Sequence, residues 1–187
     1  DGYAGLFLHL LHRYTAKTGD LTVIQTHWDK IEDIANLIPL MQDRDGLTWA
    51  HPQHKAKYLM DNSETYGGLT AYLALRELAG KGHSSRYFLS RHAIKTGIFN
   101  ELSDSSNNMF AWAVVENKVQ SRSSWGTFYP DAFAQLFPLY YDLLLDEPEL
   151  RQRLWQNFNE NYATKIKTFP LEQRIIYQLV RGKMEGN

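Results

Sequence analysis

The chain contains no cysteine. That excludes disulfides, thiolate zinc sites and cysteine nucleophiles, and it leaves cytoplasm and periplasm equally open for a soluble protein. Neither charge is in excess, since 20 Lys plus Arg face 21 Asp plus Glu. No general field would therefore draw in nucleic acid or an anionic membrane surface. Long hydrophobic runs are missing too, the apolar stretches falling far short of the roughly 20 residues that a membrane span needs. Neither nucleic acid nor a membrane is an expected partner. There is no phosphate-cradling glycine motif or EF-hand loop, and "SRSSWG" does not supply the Gly-x-Ser-x-Gly frame of a nucleophile elbow. His9 and His12 share a helix face without a third ligand. His51 and His54 have a metal-like spacing, but Pro52 lies between them and no carboxylate accompanies them. No metal and no other cofactor is expected.

What is present is ordinary in bulk, with 43% apolar and 22% charged residues. A length of 187 residues with no linker-like shift in composition predicts one domain over residues 1–187. The chain opens at Asp1 without a methionine or a signal-peptide pattern, as a processed or cut chain would. Aromatic residues are plentiful at 13%, with 5 Trp and 11 Tyr, many of them beside polar residues in loop-like stretches. Such side chains offer an apolar face with a polar handle, which suits sugar rings and protein interfaces alike.

Helical periodicity dominates and predicts seven helices, over about 1–17, 21–42, 61–78, 84–98, 130–145, 149–164 and from Pro170 onward. Ile24, Trp28, Ile31, Ile34 and Ile38 mark the second, which Pro39 is expected to kink or end. Between the second and third lies a polar-aromatic loop, "LTWAHPQHKAKY". "SDSSNN" is a turn-rich loop, and "MFAWAVV-EN-KVQSRS" reads as a short β-hairpin turning at Glu116-Asn117. Phe133, Leu136, Phe137, Tyr140 and Tyr141 form a core stripe. The expected fold is all-α, an array of antiparallel helical hairpins with one short β-hairpin.

Three of these helices open alike, as "DGYAGLFLHL", "DNSETYGGLTAYL" and "PDAFAQLFPLYY". Each has an acid, then small residues, then a large apolar body, which is a weak internal repeat. The acids are Asp1, Asp61 and Asp131. Small residues allow close approach of neighbouring helices, so the three starts are expected at one end. Loop 46–60 and segment 119–130 would wall that mouth. A plainer account stands beside this one. Asp is a preferred N-cap, Asp61 with Glu64 matches a capping box, and Pro130-Asp131 is good helix-start chemistry.

"DGLTWAHPQHKAKYLMDNSETYGGL" and "WGTFYPDAFAQLFPLYYDLL", together with the opening "DGYAGLFLHLLHRYTAKTGD", resemble the bacterial six-hairpin glycosidase-like proteins. The resemblance implies an (α/α) toroid whose inner helix starts line a carbohydrate cleft. It also implies a relationship to unsaturated glucuronyl hydrolases and other polysaccharide-processing enzymes. Seven helices make up only part of such a ring, so the chain is expected to be incomplete at one or both ends, the missing remainder being itself a partner. No Asp-Asp pair is present.

The function this implies is glycoside hydrolysis of a poly- or oligosaccharide by paired carboxyl groups, one protonating the leaving oxygen and one activating water or attacking the anomeric carbon. Asp61, flanked by Tyr58 and Tyr66, is the expected general acid because apolar neighbours raise a carboxyl pKa. Asp131 is the expected base, with Asp1 and Glu64 in reserve, and the assignment can be reversed. Trp49 and Trp125 would stack on pyranose rings or seal the loops. His51, Lys55 and Lys57 would hold a uronate or sulfate, or edge a solvated loop. Tyr129 and Gln135 are hydroxyl partners, with Tyr3 a weaker one. Two alternatives stand. One is a lyase or epimerase on the same fold, with Tyr58, Tyr129 or His51 as base. The other is a non-catalytic helical module that binds a glycan or a protein.

Overall fold

The computed structural model describes residues 2–104, 106, 108–116, 118–119 and 123–186. Asp1 lies outside them, as do Asn117 of the expected hairpin turn and residues 120–122 of the expected wall. The fold is mostly α with a short β-hairpin. Helix α1 covers Gly2–Thr18, α2 Thr22–Thr26, α3 Trp28–Met41, α4 Leu59–Leu78, α5 Ser85–Glu101, α6 Leu136–Tyr140, α7 Pro148–Tyr162 and α8 Leu171–Glu185. A π-type turn, Phe128–Ala132, precedes α6, and a 3₁₀ turn, Ile166–Thr168, precedes α8.

Two helices depart from the sequence expectation. The second is interrupted at His27, and Pro39 sits inside the last turn of α3 without ending it. Its missing N–H and its ring act on the preceding turn, at the Ala35 carbonyl, and the helix runs only to Met41. The fifth was expected to run unbroken over 130–145. Instead it is a π-type turn followed by the five residues of α6, and turns carry the chain on to Asp146. Pro138 cannot donate an N–H back into the preceding turn. The side-chain amide of buried Gln135 reaches the backbone at that break, donating to the carbonyl oxygens of Phe110 and Asp131.

The hairpin forms from β4, Ala113–Val115, and β5, Lys118–Val119. A third strand joins it from the segment expected to be loop, β1 at Ala56–Tyr58, antiparallel to β4 with Ala56 opposite Val115 and Tyr58 opposite Ala113. Strands β2, Ser103–Asp104, and β3, Met109–Phe110, pair separately around the turn-rich loop.

The buried side chains form one cluster that includes Leu8 of α1, Ile31 of α3, Tyr72 of α4, Ile94 of α5 and Phe158 of α7. The expected stripe of Phe133, Leu136, Phe137, Tyr140 and Tyr141 lies wholly within it. Helices α1 and α4 share the most extensive interface in the molecule, and α4 also packs on α5 and α6. Small residues make this possible. A side chain on Gly68 would collide with the backbone of Gly5, and one on Gly67 with the ring of Tyr141. Gly2 meets Asp61 and Glu64 while Gly5 meets Gly68, so α1 and α4 run in the same direction with their starts together. Pro130, at the entry to α6, lines a cavity with Asp61. Three helix starts thus gather at one end.

Candidate functional site

The start of α4 decides what Asp61 does. The helix begins at Leu59, so Asp61 lies in its first turn rather than at the cap position, which Tyr58 occupies without any side-chain capping bond. The Leu59 N–H is satisfied instead by the backbone carbonyl of Trp112, at 2.9 Å. Because the helix starts before Asp61, the capping box suggested by Asp61 and Glu64 does not form. Asn62 and Ser63 turn inward. Asn62 accepts the Thr48 N–H at 2.7 Å and donates to the Tyr58 carbonyl at 2.9 Å, and Ser63 bonds the Leu59 carbonyl at 2.7 Å. Asp61 and Glu64 turn the other way, and neither carboxyl group has a hydrogen-bond partner among the described residues.

Two cavities meet at Asp61. One, of about 340 Å³, is lined by Gly2, Tyr3, Leu6, Ala50, Asp61 and Glu64. The other, of about 490 Å³, is lined by Tyr58, Met60, Asp61, Trp112, Tyr129 and Pro130. In the second, the Tyr58 and Trp112 rings stack with centroids 5.9 Å apart and planes within 8°, and Tyr129 stands open to solvent. At the first, Glu64 Oε2 lies 2.5 Å and Asp61 Oδ1 3.5 Å from the point where a Cβ on Gly2 would stand. Only a residue without a side chain leaves the two carboxyl groups this shared space.

Burial dominates the electrostatics. It raises Asp61 above the usual carboxylate range, against the pull of the chain's N-terminal ammonium, which favours the ionised form. Glu64 rises to about 7, first through burial and then through the neighbouring Asp61. The buried Tyr141 hydroxyl is pushed upward as well, by burial and then by Glu64. At neutral pH the site therefore offers one carboxyl, Glu64, that is protonated in a large share of molecules, beside a second carboxyl, Asp61. That combination can protonate a leaving oxygen and support positive charge at the carbon it leaves.

Asp131 is placed differently. It is buried, and its Oδ2 accepts the Ser124 N–H at 2.9 Å, fixing the segment after residue 122. It is not among the residues lining either cavity with Asp61.

Two expected binding residues are corrected. Lys57 is fully buried, with Nζ 2.6 Å from Asp43 and 2.5 Å from Asp45 and 4.0 Å above the Trp49 ring. Its charge is spent inside the protein and cannot hold a uronate. Gln135 is also fully buried, with its oxygen on the Phe110 N–H and its amide on two carbonyls, so it has nothing to offer a sugar hydroxyl. Trp49 and Trp125 are half-buried outside the two cavities, Trp49 beneath Lys57 and Trp125 with its carbonyl taking the Tyr162 hydroxyl at 2.6 Å. His51 and Lys55 are exposed on the loop.

Tyr58, Tyr129 and Tyr3 do reach the cavities. Trp112 and Met60 were not foreseen there. The signal for Trp112 was its place between alanines in "FAWAV", where alternation puts one large ring on the face opposite the small residues. His9, read as packing rather than metal-binding, lies against the Tyr140 and Tyr141 rings at 5.5 and 5.0 Å. Burial, then Arg13 and Lys183, lowers it to about 4, so it is neutral at physiological pH. No described helix is long and apolar enough to cross a membrane. Compared with known protein families and with curated proteins, the sequence matches none.

Proposed function

We propose that this protein is carbohydrate-active and hydrolyses a glycosidic bond, with Glu64 as general acid and Asp61 as its ionised partner. The observation that carries the reading is the pair itself: two carboxyl groups with no hydrogen-bond partner among the described residues, facing one cavity, with Glu64 raised to about 7. A structural carboxylate is bonded and lowered; a catalytic acid is left unbonded and raised. A sugar chain passing from the aromatic cavity to the acidic one crosses Asp61, which lines both. Tyr58, Trp112 and Tyr129 hold one sugar unit by its apolar face. Glu64 donates its proton to the departing oxygen, Asp61 stabilises or captures the oxocarbenium-like carbon, and water then adds to that carbon and returns a proton to Glu64. The gathering of three helix starts supports a place among six-hairpin glycosidase-like toroids.

Release of reducing ends from a panel of oligosaccharides tests this directly. Glu64→Gln and Asp61→Asn should each lower kcat by about 10²–10⁴-fold while leaving the helical circular dichroism intact. Turnover that survives both substitutions would sink the proposal.

One observation favours a second reading. The Tyr58 hydroxyl and His54 Nε2 stand 3.0 Å apart, a base assembled as a lyase or epimerase would need. A product absorbing near the ultraviolet edge, lost in Tyr58→Phe, would select it.

A further inference from the structure

We infer that copies of this chain associate head to tail, the exposed ridge of α3 in one copy entering the groove between α1 and α8 in the next. The two surfaces lie on different elements, and they match in apolar spacing, in length and in charge. The groove runs along Leu10 to Lys17 of α1, beyond the start where Gly2 meets Asp61 and Glu64. This inference does not depend on the glycan reading.

The groove has an apolar floor and a positive rim. Three adjoining cavities, of about 640, 360 and 370 Å³, share Leu179. Leu10 of α1 and Leu171 and Ile175 of α8 line it and stand exposed, with Tyr140 buried between the helices. Arg13, Lys17, Lys167 and Arg174 edge it. Acids close by are engaged elsewhere. Asp20 accepts the Tyr14 hydroxyl at 2.8 Å, and Asp142 takes Lys183 at 2.5 Å. Arg13 donates to the neutral Tyr140 hydroxyl at 2.9 Å, which leaves its charge uncompensated. Arg174 Nε is buried with no hydrogen-bond partner among the described residues.

The ridge is the complement. Asp29, Asp33 and Leu37 follow one another four residues apart along α3, Leu40 comes three residues later, and all four are exposed. Lys30 is exposed there too, so the ridge sets two acids against one base. On α8 the apolar positions Leu171, Ile175 and Leu179 repeat at the same spacing. Rows of this kind interdigitate when helices pack. Asp29 to Leu40 and Leu171 to Gly182 each span about 17 Å of helix. Docking takes Leu40, 71% exposed, and Leu171, 62% exposed, out of water together. Ridge against ridge or groove against groove would bring like charges face to face, so charge selects the head-to-tail pairing.

Sedimentation velocity on the full chain at low ionic strength tests this, over about 1–100 µM. Wild-type protein should sediment faster as its concentration rises. Leu40→Glu disables the ridge and Ile175→Glu the groove. Both replace exposed residues and should keep the helical circular dichroism, and each alone should stay a monomer. An equimolar mixture of the two should form a dimer, because each supplies the surface that the other has lost. Raising the salt to about 0.5 M should weaken wild-type association by roughly three-fold or more. Wild-type protein that remains monomeric at the highest concentration overturns the inference. Association that survives either variant, a mixture that stays monomeric, or indifference to salt would each overturn it as well.

Discussion

Asp61 and Asp131 look interchangeable in the sequence, each standing at the opening of a helix with small residues after it. In the fold their surroundings differ. Asp131 is buried with a backbone N–H at 2.9 Å, whereas Asp61 faces two cavities, has no hydrogen-bond partner among the described residues and is raised by burial. The difference arises in their surroundings. At Asp61 the helix has already begun two residues earlier, at Leu59, whose N–H bonds the Trp112 carbonyl, so no capping bond holds the side chain. At Asp131 the nearby Ser124 N–H claims the carboxylate. An acid becomes available for chemistry when the backbone around it is already satisfied.

The sharpest way to break this comparison is to substitute both acids conservatively and follow turnover on a cleaved oligosaccharide. Asp61→Asn should lose about 10²–10⁴-fold in kcat, and Asp131→Asn should stay within about three-fold, on the order of 0.7 kcal/mol. Equal losses would erase the distinction.

Lys57 supplies a third case, a charge compensated on both sides. Lys57→Met strands Asp43 and Asp45 against each other and should cost about 3–5 kcal/mol in urea unfolding. A cost below about 1 kcal/mol would mean that the trio is solvated like a surface pair.

Glu64 gives a smaller effect with a defined sign. Its folded value of about 7 exceeds the ordinary 4.5, so between those values the native chain holds a proton that the unfolded chain has released. Stability therefore falls as pH rises through that window and stays reduced above it. Glu64→Gln removes the loss. At pH 8 the variant should be more stable than wild type by on the order of 3 kcal/mol, with little difference at pH 4. Thermal unfolding at both pH values checks it, and a variant no more stable at pH 8 contradicts the placement of Glu64.

Asp131→Ala should show the least. It leaves the Ser124 N–H without its acceptor and should cost about 1–2 kcal/mol. Hydrogen exchange at that amide should quicken even where global stability barely moves.

What could be read from the sequence follows from how local each determinant is. The periodic apolar positions of α1, α3, α4 and α7 act within a few turns, and the helices lie where those positions place them. The expectation of a helix over 130–145 follows the apolar density of "AFAQLFPLYY", whereas Pro138 within it has no N–H to donate, and α6 is short. Strand β1 was missed because its pairing is with Ala113–Val115, far along the chain, and "AKY" alone carries no alternation to measure. Lys57 was taken for an exposed cation because lysine is almost never fully buried unless paired. Its partners, Asp43 and Asp45, sit across a loop whose path the sequence does not give. At the site, Tyr58, Asp61, Glu64 and Tyr129 were legible as polar and aromatic residues around a helix start. The rank of Glu64 above Asp131 was not, because it depends on which backbone groups find other partners.

The contact of Gly5 with Gly68 has a consequence for how this cleft can change over time. With backbone against backbone and no side chain between, α1 and α4 act as the fixed jaws of a caliper, set by atoms that no rotamer can move. The gap between Gly2 and Glu64 is therefore a constant of the scaffold. Variation at Tyr58, Met60, Trp112 or Tyr129 can retune what is gripped, while any larger residue at position 5 or 68 would force the jaws apart and change the gauge itself.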